Sequence, residues 1–299
     1  LSTPLNTPTL LYSHSSLLTN LHSSLQGTIH TGQPVGTYQT LHNLKTYTTG
    51  NPSTARATLI MYSDVFGHSL PNNLILADAL AAQGNYLVHL PDFFEGDPVK
   101  LQLADALIPV DAKNQSTIRK YTGLLANAPS FLMWMGRHGH ERTERVCMDF
   151  LASVRRQTLA KGVKIGMVGY CWGGRYAIRA GLEKNQIEVK GEMVPLVDAV
   201  VALHPSNLVL PGDVGKLVVP VSYGWGEQDT MVSIELKGKI ENLHGKEKGG
   251  GRVVPEMDHR VYNPGRHGFA VRGNPDDAEE RNILEGSERQ ALEWLGKWL

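Results

Sequence analysis

The segment VKIGMVGYCWGGRYA, Val163 to Ala177, reads as a buried strand that turns abruptly into a helix. Val163 to Gly169 is apolar and β-branched enough to lie inside a parallel sheet covered on both faces. Gly169-Tyr170-Cys171-Trp172-Gly173-Gly174 forms the turn, and a helix-forming run follows from Arg175 to Glu183. Strand, tight turn and helix are the context of a G-x-nucleophile-x-G elbow, whose central residue sits in strained backbone at the carboxyl end of the strand. A side chain two residues away would collide with the incoming helix, so Gly169 and Gly173 leave it room. The central residue here is Cys171, not serine. An inert buried thiol is the blander alternative, because free cysteine is among the most buried residue types. Phosphate cradling fits poorly: the turn carries neither G-x-G-x-x-G nor G-x-x-x-x-G-K-[ST].

Composition bounds what this elbow belongs to. A length of 299 residues with 41% hydrophobic content allows one large domain, or at most two, with ample core. Basic and acidic residues balance at 29 each, so no global field recruits nucleic acid or an anionic membrane. Cys147 and Cys171 are the only cysteines, too few to staple such a chain, so a reducing, cytoplasmic setting is expected. No apolar run reaches the ~18 residues of a membrane span. Residues 1 to 44 hold no Lys or Arg, which argues against a signal peptide and a basic transit peptide.

Working outward from the elbow, the chain alternates between strand and helix patterns. Residues 1–32, uncharged and rich in Ser, Thr, Leu and His, are expected to form an N-terminal arm, and 33–299 a single domain. Gly36 to Thr40 and Leu44 to Thr49 read as paired edge strands joined near His42-Asn43. Ala57 to Tyr62 is the first central strand, followed by a helix from about Asn72 to Gln83 and a strand from Tyr86 to Leu90. Together they make one right-handed βαβ unit.

Residues 99–142 interrupt this rhythm as a lid-like insertion or pocket wall, with short helices over Leu101 to Leu107 and Ser116 to Leu125 and an apolar patch from Phe131 to Met135. His138-Gly139-His140 lacks a third ligand at metal spacing. Thr143 to Gln157 is an amphipathic helix in which Cys147 packs. Further strands are expected at Ala199 to Leu203, at Leu217 to Tyr223 and within Gly251 to Tyr262. Residues 244–251 read as a polar hairpin or loop. A closing helix is expected with Asn274 as N-cap, Pro275 at its first position, and Leu284, Leu292, Leu295 and Trp298 buried. The pattern predicts an α/β fold, a doubly wound, mostly parallel sheet with helices on both faces.

Ligands of such sheets bind beyond the carboxyl ends of the strands, where Asp64, Cys171, His204, Asp229 and His267 all fall. A cysteine nucleophile needs a base, and the base needs an orienting acceptor. Cys171, Asp229 and His267 occur in the order nucleophile, acid, histidine. Taken singly, Asp229 reads equally as a helix cap and His267 as a surface histidine.

These residues, with SDVFG at Ser63 to Gly67, LPDFFEGDP at Leu90 to Pro98, GEQDTMVS at Gly226 to Ser233 and NPGRHGFAVRG at Asn263 to Gly273, resemble the dienelactone hydrolase family in its eukaryotic branch. The resemblance covers residues 57 to 299. It implies an α/β-hydrolase fold and a Cys171–Asp229–His267 triad that cleaves a small-molecule ester or lactone with no metal or organic cofactor. It also implies an oxyanion hole from the backbone N–H groups of Val65 and Trp172. Asp64 matches the family's acidic position beside the resting thiol, where a carboxylate keeps the thiol neutral. Arg272 lies one residue from the place where the family grips a substrate carboxylate. His204 and Trp225 are further candidates for the pocket wall, with packing an equal alternative for Trp225. No nucleic-acid or membrane partner is expected, and the chain is expected as a monomer or homodimer. Isomerisation, cyclisation or acyl transfer at the same site stays open at this stage, as does a silent ligand-binding fold.

Overall fold

The computed structural model describes residues 30–101 and 129–299. Most of the expected N-terminal arm and the two short helices of the insertion lie outside the described residues. Ten strands are present among those described: β1 (Thr37–Leu41), β2 (Leu44–Thr49), β3 (Ala57–Tyr62), β4 (Tyr86–Pro91), β5 (Ile165–Tyr170), β6 (Ile187–Val189), β7 (Glu192–Val194), β8 (Ala199–Leu203), β9 (Val221–Gly226) and β10 (Met257–Tyr262). Eight of them form one sheet in the order β1-β2-β4-β3-β5-β8-β9-β10, while β6 and β7 make a separate ribbon. From β4 to β10 every pairing in this sheet is parallel; β2 alone runs against the others, pairing antiparallel with both β1 and β4. His42 and Asn43 both take positive φ, 47° and 69°, which matches the hairpin they close to the twist of its strands.

β3, β5, β8 and β9 are buried at every position, as strands covered on both faces are, and their residues are mostly apolar. The named helices are α1 (Pro71–Gly84), α2 (His140–Leu159), α3 (Trp172–Ala180), α4 (Glu235–Gly249), α5 (Phe269–Arg272) and α6 (Ala278–Trp298). α1 packs with α5 and α6, and α2 packs with α3. This is the α/β-hydrolase fold, a doubly wound sheet between helical layers. No helix among the described residues is long and apolar enough to cross a membrane.

Four expectations are corrected. The helix after the elbow starts at Trp172, directly after Cys171, because the turn is completed by Cys171 alone. The strand expected at Leu217 to Tyr223 is instead β9, since Leu217 is diverted into a bridge with Leu182 and Pro220 delays the ladder. Residues 244–249 end helix α4 rather than forming a hairpin. Buried His244 anchors that turn on the Val214 carbonyl (2.9 Å), and Lys246 and Lys248 suit a helix C-terminus.

The closing helix is capped by Asp277, not Asn274. Asn274 Oδ1 is occupied by the Asp276 N–H in a turn ahead of the helix, and Asp277 Oδ1 accepts from the N–H groups of Glu279 and Glu280 at 2.9 Å. Asp277→Ala is expected to cost about 1 kcal/mol, read as a lower urea midpoint at an unchanged slope; an unmoved midpoint contradicts the cap. α6 buries Ile283, Ala291, Trp294 and Leu295, while Leu292 and Trp298 are only partly covered.

Candidate active site

The elbow is built by close packing of backbone. A Cβ on Gly173 would lie 2.4 Å from the Tyr62 carbonyl oxygen, and one on Gly169 would lie 2.5 Å from the Cβ of Ala177. Only glycine lets α3 start this close to β3 and β5. Cys171 is forced to φ 50° and ψ −115°, a conformation that costs a non-glycine residue about 1–3 kcal/mol and persists only under tight surroundings. Its N–H is tied to the Leu203 carbonyl on β8 (3.2 Å), and its own carbonyl accepts from Ser206 N–H (3.0 Å).

His267 reaches the sulfur from the loop between β10 and α5. Its Nε2 lies 3.0 Å from Cys171 Sγ, and its Nδ1 lies 2.8 Å from Asp229 Oδ2. Asp229 follows β9, and its other oxygen accepts from the Met231 and Val232 N–H groups at 2.8 and 2.9 Å. Both carboxylate oxygens are therefore occupied, and the acid can only orient the ring. All three groups are buried. Burial opposes charge on His267, but the Cys171 sulfur and Asp229 outweigh it and lift the ring pKa to about 10. Cys171→Ala removes the charge and hydrogen bond of the sulfur while keeping Asp229, so the His267 pKa should fall. NMR titration of the ring nitrogens reads this, and a value still near 10 would mean that Asp229 alone sets it.

Gly173 N–H is donated to the Ser63 carbonyl and Gly174 N–H to the Cys171 carbonyl, at 3.1 Å each. The N–H groups of Trp172 and Val65 have no acceptor among the described residues. Trp172 begins α3, so its N–H is one of the four that a helix start leaves without an intrahelical partner.

Other expected site residues fall in different places. Asp64 is buried, and its Oδ1 accepts from the Phe66 N–H and Asn73 Nδ2, both at 3.0 Å. No hydrogen bond joins it to Cys171. Burial raises its pKa; Asn73, Arg272, the Phe66 amide and His267 oppose the rise. Trp225, considered for the pocket wall, lies within β9; its ring runs parallel to those of Tyr223 and His259, which stack on each other at 4.7 Å, and its indole N–H donates to His259 Nδ1 at 3.1 Å. Arg272 is buried at the end of α5 with its guanidinium 5.4 Å over the Phe66 ring.

His204 stands beside the triad residues. Its ring is edge-on to His267, centroids 5.3 Å apart, and to Phe269 at 5.1 Å. Burial first, then the charges of His267 and Arg272, push its pKa well below the usual range, so the ring is neutral. Sequence reasoning gave no role to Ser206, whose Oγ lies 3.6 Å from Cys171 Sγ. Its only signal was its place two residues beyond His204, past the end of β8. Trp134, in a helical stretch over residues 129–137, meets Trp172 edge-on at 5.1 Å and Phe94 at 5.2 Å. The described part of the insertion therefore supplies an aromatic wall next to the nucleophile turn.

The family model described as "Dienelactone hydrolase family" matches residues 44–299. Hydrolase pyvD of Aspergillus violaceofuscus is 28% identical over 276 residues, spanning 91% of this chain and 94% of that protein. Dienlactone hydrolase 1 of Gibberella moniliformis is 26% identical over 286 residues, 92% of each chain. Carboxymethylenebutenolidase homolog of Mus musculus is 26% identical over 262 residues, 87% of this chain and 89% of that one. Among solved structures, dienelactone hydrolase from Anabaena variabilis superposes with a TM-score of 0.52 at 14% identity, covering 90% of this chain and all of that one (100%). The last likeness concerns the fold.

Proposed function

The chain belongs to the dienelactone hydrolase family and is a hydrolase of ester or lactone bonds, and we propose that Cys171, His267 and Asp229 are its catalytic triad. The observation that carries this reading is the continuous hydrogen-bonded line from Asp229 through His267 to the sulfur, 2.8 and then 3.0 Å, beneath a strained elbow.

The chemistry follows from that line. With its pKa raised, His267 already holds the thiol proton at Nε2 and leaves the sulfur as the attacking thiolate, and Asp229 fixes the tautomer and balances the imidazolium. The sulfur adds to the substrate carbonyl, and the N–H groups of Trp172 and Val65 receive the oxyanion. Collapse breaks the ester C–O bond, with the His267 proton passing to the leaving oxygen. In a lactone that oxygen stays on the same molecule, so the ring opens. Water, deprotonated by His267, then cleaves the thioester and returns the sulfur. The aromatic wall of Trp134 and Trp172 favours an apolar or unsaturated acyl part, and the neutral ring of His204 offers it one polar contact.

A turnover screen of aryl esters and unsaturated lactones tests the reading. Iodoacetamide should abolish turnover by alkylating Cys171 alone. Cys147 lies on the buried face of α2, and burial raises its pKa well above the usual value, so it should label only on unfolding. Alkylation of Cys171 with turnover intact would refute the proposed nucleophile.

A further inference from the structure

Cys171, His204 and His267 each offer one ligand atom, and these atoms all lie within 4.8 Å of one another. We infer that the three side chains form a site for a thiophilic divalent cation of the zinc class, and that binding there blocks the nucleophile. The blocking effect rests on the triad reading above; the binding itself does not.

The donor set is the first argument. One thiolate and two imidazoles suit a borderline-soft cation with a fourth position left for water. Bonds of ~2.0–2.1 Å to nitrogen and ~2.3 Å to sulfur put tetrahedral ligand atoms roughly 3.3–3.7 Å apart. Sulfur and His267 Nε2 are at 3.0 Å, so closure needs a small opening of that pair and a rotation of His204. Hard cations are disfavoured because Asp229 has no oxygen to give: one holds His267 and the other two backbone amides.

His204 is the second, independent argument. It is 1% exposed, yet neither ring nitrogen has a hydrogen-bond partner among the described residues. A buried polar group in that condition costs about 1–3 kcal/mol unless something meets it. Its backbone is fixed by donation to the Gly224 carbonyl (2.8 Å) at a φ of 40°, so the ring is presented rather than accidental. The third argument is the bond from His267 Nδ1 to Asp229, since a carboxylate behind a ligating histidine orients it and raises its basicity. On binding, the proton between Sγ and Nε2 leaves to solvent, and the cation takes its place on both atoms.

The test uses full-length protein stripped with EDTA and titrated with Zn2+ against a chromophoric chelator. One equivalent should bind, and turnover of an aryl ester should fall with the same midpoint and return with EDTA. His204→Phe should bind more weakly by more than the ~10–100-fold that loss of a second-shell partner costs, and His204→Gln, which keeps a polar side chain of similar volume, should weaken likewise should the phenylalanine variant fail to fold. Co2+ should give a thiolate-to-metal charge-transfer band that Cys171→Ala lacks. Wild-type affinity in both His204 variants, no bound equivalent, or a cobalt band unchanged in Cys171→Ala would each overturn the inference. Absence of any ester turnover would instead count against the triad reading, and the chelator titration would still report the site.

Discussion

Cys171→Ala should lower turnover of an aryl ester by about 10⁴-fold or more, and His267→Ala by a similar factor. The reason is geometric. The sulfur and Nε2 are 3.0 Å apart and share one proton, so removing either leaves the other without its task. The double variant should therefore be about as slow as either single one, because the two side chains act as a unit. Residual rate would come from the proposed oxyanion donors, the N–H groups of Val65 and Trp172, which either variant keeps. Losses that multiply in the double variant would show that the residues act independently. Cys171→Ser should also be far slower than wild type, since an alcohol leans more heavily on a base whose proton affinity is matched to a sulfur anion.

Asp213→Ala should destabilise the fold by about 3–5 kcal/mol. Asp213 is 1% exposed and lies between two arginines of α3: its Oδ2 is 2.8 Å from Arg175 Nε, and its Oδ1 pairs with Arg179. The same carboxylate accepts from the Val209 N–H at 2.6 Å. Alanine would leave the half-buried Arg175 charge without its partner and Arg179 with Glu144 as its remaining acid. It would also remove the ion-pair ties between the loop after β8, which carries His204 and Ser206, and the helix that begins at the nucleophile, leaving the Ser206 N–H bond to the Cys171 carbonyl. Urea denaturation should show the loss as a lower midpoint. Asp213→Asn, which keeps an acceptor for Val209, should lose less stability than alanine. A loss below about 1 kcal/mol in the alanine variant would mean that water enters and solvates the arginines.

The difference between what was legible in the chain and what was not can be followed residue by residue. β3, β5 and β8 stood out because a strand covered on both faces must be apolar throughout, and no helix period fits such short runs. The elbow stood out because its glycines are imposed by backbone approaching backbone, a constraint that leaves a mark in sequence. The end of α4 did not stand out: its glycines and lysines read as loop until His244 finds the Val214 carbonyl, 30 residues away. Asn274 and Asp277 are both good caps by type, and only the chain path shows that Asn274 is spent on a turn.

The sequence by itself determined the sheet, the elbow and the order in which Cys171, Asp229 and His267 follow their strands, because burial period and backbone crowding are local and periodic. The tertiary structure alone decided which of those side chains meet. Cys171 and His267 are 96 residues apart, and their contact depends on the parallel register of β5, β8, β9 and β10. The same register puts Ser206 and His204 beside the sulfur and Trp225 in a stack with His259. Residue type is silent on such distances, since a hydroxyl or an imidazole has the same chemistry wherever it is placed and takes its role from what the fold brings within a few ångströms.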